Sequence, residues 1–351
     1  MNVVILGLSI TSSWGNGHAT NYRALARALD CCGDHVTFLE RDMPWYAQHR
    51  DLAEPPYGET YLYDSVSALR RRYADLLAAA DLVIIGSFVP DGVEVCEWAL
   101  GVAGGAVAFY DIDTPITLGK LGSGDREYLA PELVPRFDFY LSFTGGPALE
   151  ILRDAFGARR PVAFYCFVDP EAYARVECPP RWELNYLGTY SASRQPAVDE
   201  LLLAPASKRR ASHFAVAGPM YPPELAWPAN LEHIAHLPPR EHPGFYSAAP
   251  FTLNVTRPEM RAIGYSPSVR LFEAAACAAT IISDRWPGIE TVLTPGREVL
   301  LAGSCAEVLD ILNAGPQPEI GAAARERVLA QHTAAHRVAQ LHELMLEEAV
   351  R

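Results

Sequence analysis

Apolar residues fall into short unbroken runs, separated by longer stretches in which they recur every three to four positions. Unbroken runs mark strands covered on both faces of a parallel sheet, and the intervening period is that of helices lying on those faces. In the first half this predicts strands at 2–8, 35–40, 81–87, 105–113, 138–143 and 162–167. Helices are expected after His18 (on Tyr22, Leu25 and Leu29), over Tyr61–Ala80, over Gly92–Val102 and over Pro147–Phe156. A second series begins with strands at 183–187, 212–217, 231–237, 251–257 and 279–283. Its helices are expected at 238–247, 267–277, 306–313, 320–331 and 334–350. Strand, Gly-containing turn and helix therefore alternate twice, the order of two doubly wound α/β Rossmann-like domains. Residues 169–183, with Pro170, Pro179 and Pro180, lack either period and read as a linker. The expected organisation is an N-terminal domain 1–168, a C-terminal domain 184–332, and a last helix 333–351.

With 351 residues the chain exceeds the usual span of one hydrophobic core. A formal net charge of −13 excludes a nucleic-acid footprint, which needs clustered Lys and Arg. The basic runs Arg70–Arg72 and Lys208–Arg210 are short enough to be solvated faces. Seven cysteines include no C-x-x-C pair, so neither a disulfide framework nor a zinc site is implied. The first run has no basic n-region, and about 18 uncharged apolar residues never occur together. A cytoplasmic protein with no transmembrane segment is expected.

Candidate chemistry concentrates between Gly264 and Ala302. Ser266-Pro267 reads as an N-cap followed by Pro at the first helical position, with Tyr265 before it and Ser268 after it. Arg270 and Glu273 are three apart, on one face near the amino end of that helix, where the dipole favours an anion such as a diphosphate. Glu273 can hold two vicinal ribose hydroxyls, or the two can form an ordinary surface ion pair. Gly188 and Gly218 follow strands and allow close backbone approach to a ligand. Arg194 and Arg257 are candidates to neutralise a diphosphate, and Asn254 ends a strand where donor hydroxyls would lie. In the first half, Gly17, Ser87 and Thr144 stand in strand-end loops, and His18 opens a helix. The G-x-G-x-x-G dinucleotide fingerprint does not occur there.

Asp111 and Asp113 form D-x-D. On a strand both would face one way and reach one cation; alternatively Asp113 acts on a hydroxyl as general base, or both make local Asx turns.

Arg270, Phe272-Glu273, Ala276-Cys277, Asp284, Gly288, Glu290, Gly296 and Glu298 resemble the C-terminal domain of nucleotide-sugar glycosyltransferases of GT-B architecture. They look most like the bacterial spore-maturation-type family, and FYDIDTP resembles a run in its relatives. The resemblance implies two Rossmann-like domains facing across a cleft, with the last helix crossing back to the first. It implies a hexosyltransferase-like enzyme that uses a nucleotide diphosphate sugar as substrate, an acceptor hydroxyl, no cofactor and no metal. It assigns the donor ribose to Glu273, donor contacts to Gly188, Arg194, Gly218, Asn254, Tyr265, Ser266, Ser268 and Arg270, catalysis to Asp113 and His18, and the acceptor side to Gly17, Ser87 and Thr144. Many retaining members carry a glutamate where this chain has Tyr265. An epimerase of the same architecture and an inactive nucleotide-sugar binder are the alternatives.

Overall fold

A computed structural model describes residues 1–15 and 17–350. The chain divides into two compact units, Met1–Tyr165 with Ala334–Arg351, and Cys166–Thr333. In the first unit the strands are β1 (Asn2–Gly7), β2 (His35–Arg41), β3 (Glu59–Tyr63), β4 (Leu82–Gly86), β5 (Ala106–Asp111), β6 (Phe139–Ser142) and β7 (Pro161–Ala163). They form one sheet in the order β3-β2-β1-β4-β5-β6-β7, and every neighbouring pair is parallel. The second unit has β8 (Leu184–Leu187), β9 (Phe214–Ala217), β10 (Leu231–Ile234), β11 (Phe251–Asn254), β12 (Thr280–Ser283) and β13 (Leu300–Leu301), in the order β10-β9-β8-β11-β12-β13. Counted from its own first strand, each sheet runs 3-2-1-4-5-6, the doubly wound order, and the first adds a seventh strand beyond its sixth.

The unbroken apolar runs at the middle of the first sheet are buried. All five residues of β4 and all six of β5 lie in the interior, as a strand covered by helices on both faces requires. The expected helix over Tyr61–Ala80 is corrected. Residues 59–63 form the edge strand β3, and the helix spans only Val66–Ala78. In Glu59–Tyr63, Tyr61 is exposed and Tyr63 buried, an alternation of period two. Ser65 then starts the helix by accepting a hydrogen bond from the Ala68 amide at 3.2 Å.

The expected helix at 267–277 is shorter too, Val269–Ala276. Its N-cap is Ser268 rather than Ser266, and the Ser268 hydroxyl donates to Asn254 Oδ1 at 2.7 Å instead of capping a helix amide. The helix Pro258–Ile263 was not anticipated, nor was the two-residue strand β13.

Cys166–Val168, expected in the first domain, belong to the second unit, where Val168 bridges Thr333. The helix Ala334–Ala349 belongs to the first. Arg337 Nε donates to the Tyr165 carbonyl at 2.7 Å, Gln340 Nε2 donates to that of Ala163 at 3.1 Å, and His342 Nε2 lies 2.8 Å from Asp34 Oδ2. Val338 and Leu341 are buried. Leu341→Ala should therefore cost about 2–5 kcal/mol, the range for a truncated core leucine. Urea unfolding measures it, and an unchanged midpoint would show that this helix is not part of the core.

Asp111, the last residue of β5, is fully buried. It accepts hydrogen bonds from Tyr140 Oη at 2.6 Å, Thr117 Oγ1 at 2.8 Å and the Asp113 amide at 3.3 Å. Burial outweighs these bonds and pushes its carboxyl up to about 6. The folded chain thus holds a proton that the unfolded chain releases near pH 4. The stability Asp111 contributes is complete below that pH and is lost as pH rises to 6. Asp111→Asn should remove this loss, so the stability of the variant relative to wild type should rise by up to about 3 kcal/mol between pH 4 and 6. Denaturant titrations of both proteins at several pH values check it; a constant difference would refute it.

Candidate functional site

In the second sheet the order reverses between β8 and β11, and the crevice outside their carboxyl ends is where open α/β sheets take ligands. Gly188 follows β8. A Cβ there would meet Tyr186 Oη at 2.6 Å and Arg270 Nη2 at 2.9 Å, so the missing side chain leaves room for that guanidinium. Gly218, at the end of the neighbouring strand, has φ +152°, and a Cβ would stand 2.1 Å from the Gly188 carbonyl oxygen. The two loops are pressed together at that point, and only glycine fits.

Arg270, in the first turn of the helix Val269–Ala276, reaches back over these loops. Its Nε donates to the Leu187 carbonyl, its Nη1 donates to Asn254 Oδ1 at 2.9 Å, and its guanidinium lies 4.8 Å above the Tyr186 ring. Arg194 caps the helix Gln195–Val198 and donates to the Thr189 carbonyl. Burial, and then the positive charges of Arg270 and Arg257, push the Arg194 guanidinium below its ordinary range. The charges of Arg270 and Arg257 thus bear on Arg194. The hydrogen bonds that fix Arg194 and Arg270 go to neutral oxygens, so those bonds leave the positive charge uncancelled.

Asn254 was expected to meet donor hydroxyls. Instead it is fully buried and holds the frame. Its Oδ1 accepts from both Arg270 and Ser268, and its Nδ2 donates to Ser283 Oγ at 3.0 Å. Nor do Arg270 and Glu273 form the simple surface pair that their spacing allows. Glu273 is 5% exposed and accepts a hydrogen bond from Tyr246 Oη at 3.2 Å. Ser266 is buried beside this helix. Tyr265 has φ +50°, its amide donates to the Pro287 carbonyl at 2.6 Å, and its ring lies against Gly288, where a Cβ would stand 2.5 Å from Tyr265 Cδ1. An aromatic ring, rather than a carboxylate, fills that corner.

Sequence reasoning missed the tyrosines of this site. Tyr186 supports Arg270, Tyr221 Oη donates to the Gly188 carbonyl at 3.1 Å, and Tyr246 holds Glu273. Tyr186 lies inside an apolar run, and Tyr246 is 27 residues from its partner, so no local spacing signals either role.

In the first unit the strand ends carry a different chemistry. The two carboxylates of D-x-D do not share a face, because β5 stops at Asp111 and its alternation stops with it. Asp111 takes the Asx turn to the Asp113 amide and is enclosed. Asp113 is only half-buried and is the N-cap residue of the helix Thr114–Ser123, without a side-chain capping bond. Thr117 Oγ1 joins Asp111 to Tyr128 Oη, 2.8 Å from each. Tyr128 packs on Phe88 at 4.5 Å between centroids, and Phe88 meets the edge of His18 at 5.6 Å. His18 and Asp113 therefore lie at the two ends of one contact chain. Ser87 and Thr144 are fully buried; the Ser87 hydroxyl accepts from the Ile112 amide at 3.2 Å, and the Thr144 amide donates to Ser142 Oγ at 3.0 Å. Both shape loops at this depth. A Cβ at Gly17 would meet nothing within 4 Å. Among the described residues no group of three or more His, Cys, Asp or Glu side chains is arranged to hold a metal ion, and no helix is long and apolar enough to cross a membrane.

Residues 194–343, which include Arg194, Arg270 and Glu273, match the family model described as glycosyl transferase-like. No curated protein sequence matches the chain significantly. Among solved structures, sucrose-phosphate synthase from Thermosynechococcus elongatus superposes with a TM-score of 0.72 at 14% identity, over 99% of this chain and 100% of that one. HepE of Anabaena, solved in complex with UDP-glucose, gives 0.70 at 13% identity over 99% and 100%. An α-glucosyltransferase in complex with UDP and a 13-mer DNA containing an HMU base gives 0.73 at 12% identity over 99% of each chain. At such identities the likeness to solved structures establishes the fold, and the family-model match adds a similarity over residues 194–343. The chain has the GT-B fold, and its residues 194–343 are similar to the glycosyl transferase-like family.

Proposed function

We propose that the second unit binds the diphosphate of a nucleotide sugar with Arg194, Arg257 and Arg270, and that the enzyme transfers the sugar to an acceptor hydroxyl. The observation that carries this reading is the pair of guanidiniums, Arg194 and Arg270, whose fixing bonds go to neutral oxygens at the strand-end crevice. Such a pair is stabilised by a polyanion and destabilised without one. The amino end of the helix Val269–Ala276 adds its partial positive charge there. Structures of similar fold hold UDP or UDP-glucose, which supports the same ligand class here.

In the reaction the acceptor oxygen bonds to the anomeric carbon as the bond to the diphosphate oxygen breaks. The electron pair passes to the diphosphate, where the guanidiniums meet the growing charge, a contribution of a few kcal/mol to the transition state. This scheme needs no metal ion, because the arginines and the helix end supply the positive charge. Asp113, half-buried in the first unit, is assigned the acceptor's proton, and His18 is assigned to the same side.

Arg194→Ala should weaken UDP binding by about 1.5–3 kcal/mol, the scale of a hydrogen bond to a charged group. Isothermal titration calorimetry reads the loss, and equal affinity in variant and wild type would displace the diphosphate from this crevice. Asp113→Asn should leave donor affinity unchanged while lowering the transfer rate by about 10²-fold or more. Sugar transfer measured at saturating donor tests this, and full activity would make Asp113 a structural residue.

A further inference from the structure

The first unit keeps several aromatic side chains outside its core. The connection 42–58 between β2 and β3 contains only the four-residue helix Pro44–Ala47. Within it Tyr46 turns inward and is buried, whereas Trp45 is 51% exposed. His49, also exposed, stacks on Trp14 of the loop that follows β1; the ring centroids are 4.6 Å apart and the planes 11° apart. Trp14 is itself only half-buried. Trp14, His49 and Trp45 therefore stand in the loops at the carboxyl ends of β1 and β2, and β1 borders the point where the first sheet reverses its order.

Polar bonds join these two segments. Glu40, the buried penultimate residue of β2, accepts from Ser9 Oγ at 3.1 Å, the Ile10 amide at 2.7 Å, the Thr11 amide at 3.0 Å and Thr11 Oγ1 at 2.6 Å. The Leu52 amide donates to the Thr11 carbonyl at 3.1 Å, Ser12 Oγ to the His49 carbonyl at 2.8 Å, and the Ser13 amide to Asp51 Oδ1 at 2.8 Å. Arg23 grips Asp51 through both Nη atoms at 2.9 Å. A loop fixed in this way presents its aromatic rings before any ligand arrives, which lowers the ordering cost of binding.

The chemistry selects the occupant. Flat apolar rings edged by charged groups fit a molecule with apolar faces and hydroxyls around its rim, as in a pyranose. Asp42, Asp51 and Glu54 outnumber Arg50 over 42–54, which disfavours a polyanion such as nucleic acid or an anionic lipid surface. We propose that Trp14, stacked on His49, and Trp45 form a platform for a neutral saccharide, and that this saccharide is the acceptor of the transfer. The proposal rests on reading the protein as a sugar transferase, and it names the class of the acceptor. Asp113 follows β5 and His18 ends the loop after β1, so both stand at the same carboxyl edge of the sheet as the platform.

The test is saturation-transfer NMR of the full chain with maltose, cellobiose and methyl β-D-glucopyranoside, recorded with excess UDP to occupy the nucleotide site. Wild type should pass saturation to the ring C–H protons of at least one of these saccharides. Trp45→Ala, a change at an exposed residue, should reduce that signal by about 3-fold or more, the scale of one lost aromatic contact. Trp14→Ala should reduce it likewise, and Trp14→Phe should retain most of it. Circular dichroism with a thermal midpoint verifies folding, and Trp45→Ala gives a reading even if Trp14→Ala does not fold. The same proteins are titrated with a single-stranded oligonucleotide and with phosphatidylglycerol vesicles. Absence of signal from all of the saccharides, a signal untouched by Trp45→Ala, or binding of oligonucleotide or vesicles that this substitution abolishes, would overturn the proposal. Calorimetry of wild type with UDP is read separately. Absence of UDP binding would remove the nucleotide reading, while the saccharide signal and its dependence on Trp45 and Trp14 decide the platform in either case.

Discussion

The second unit is organised around like charges held in place by oxygens that carry no charge. Arg270 is fixed by the Leu187 carbonyl and the Asn254 amide oxygen, and Arg194 by the Thr189 carbonyl. Carboxylates in those places would hold the side chains as firmly, but they would cancel the field. Neutral acceptors orient a guanidinium and leave its charge for something else. Burial, and then the charges of Arg270 and Arg257, lower the affinity of Arg194 for its proton.

That constraint explains features that otherwise look unrelated. Gly188 and Gly218 bring two strand-end loops so close that a methyl group at either would strike a neighbour. Asn254 is a buried amide whose Oδ1 serves Arg270 and Ser268 at once, which is why the Ser268 hydroxyl is withdrawn from capping its own helix. Tyr186 lies beneath the guanidinium, and Tyr221 engages the Gly188 carbonyl. Each is a device for keeping a cation in a crevice without neutralising it.

The first unit has the same strand order and the opposite chemistry. Its strand ends carry a protonatable carboxylate, Asp111, enclosed by Tyr140 and Thr117, with Asp113 nearer the surface. Burying Asp111 keeps the turn in shape through the Asp113 amide, at the cost of a carboxyl that titrates near pH 6. Thr117 and Tyr128 extend the contact toward Phe88 and His18. One sheet topology thus supports acceptor-type oxygens in one unit and donor-type nitrogens in the other.

Strand and helix periods were legible because they reflect local backbone geometry. Gly92–Val102 matches its expected helix, and the interior of β4 and β5 follows from unbroken apolar runs. The edge strand β3 was hidden, since five residues of period two run straight into a helix and the aromatic residues suit either pattern. The spacing of Arg270 and Glu273 located a candidate site, but their partners lay elsewhere in the chain. Arg270 is anchored 83 residues away on Leu187, and Glu273 is held by Tyr246, 27 residues distant. Periodicity determines which face of an element is apolar; which polar atoms meet at the strand ends is decided only when separate loops fold against one another. The sequence by itself therefore determined the alternating α/β order and the charged residues of the site. Tertiary structure decided that Asn254 serves the frame, that Asp111 is enclosed, and that Glu273 is buried against Tyr246.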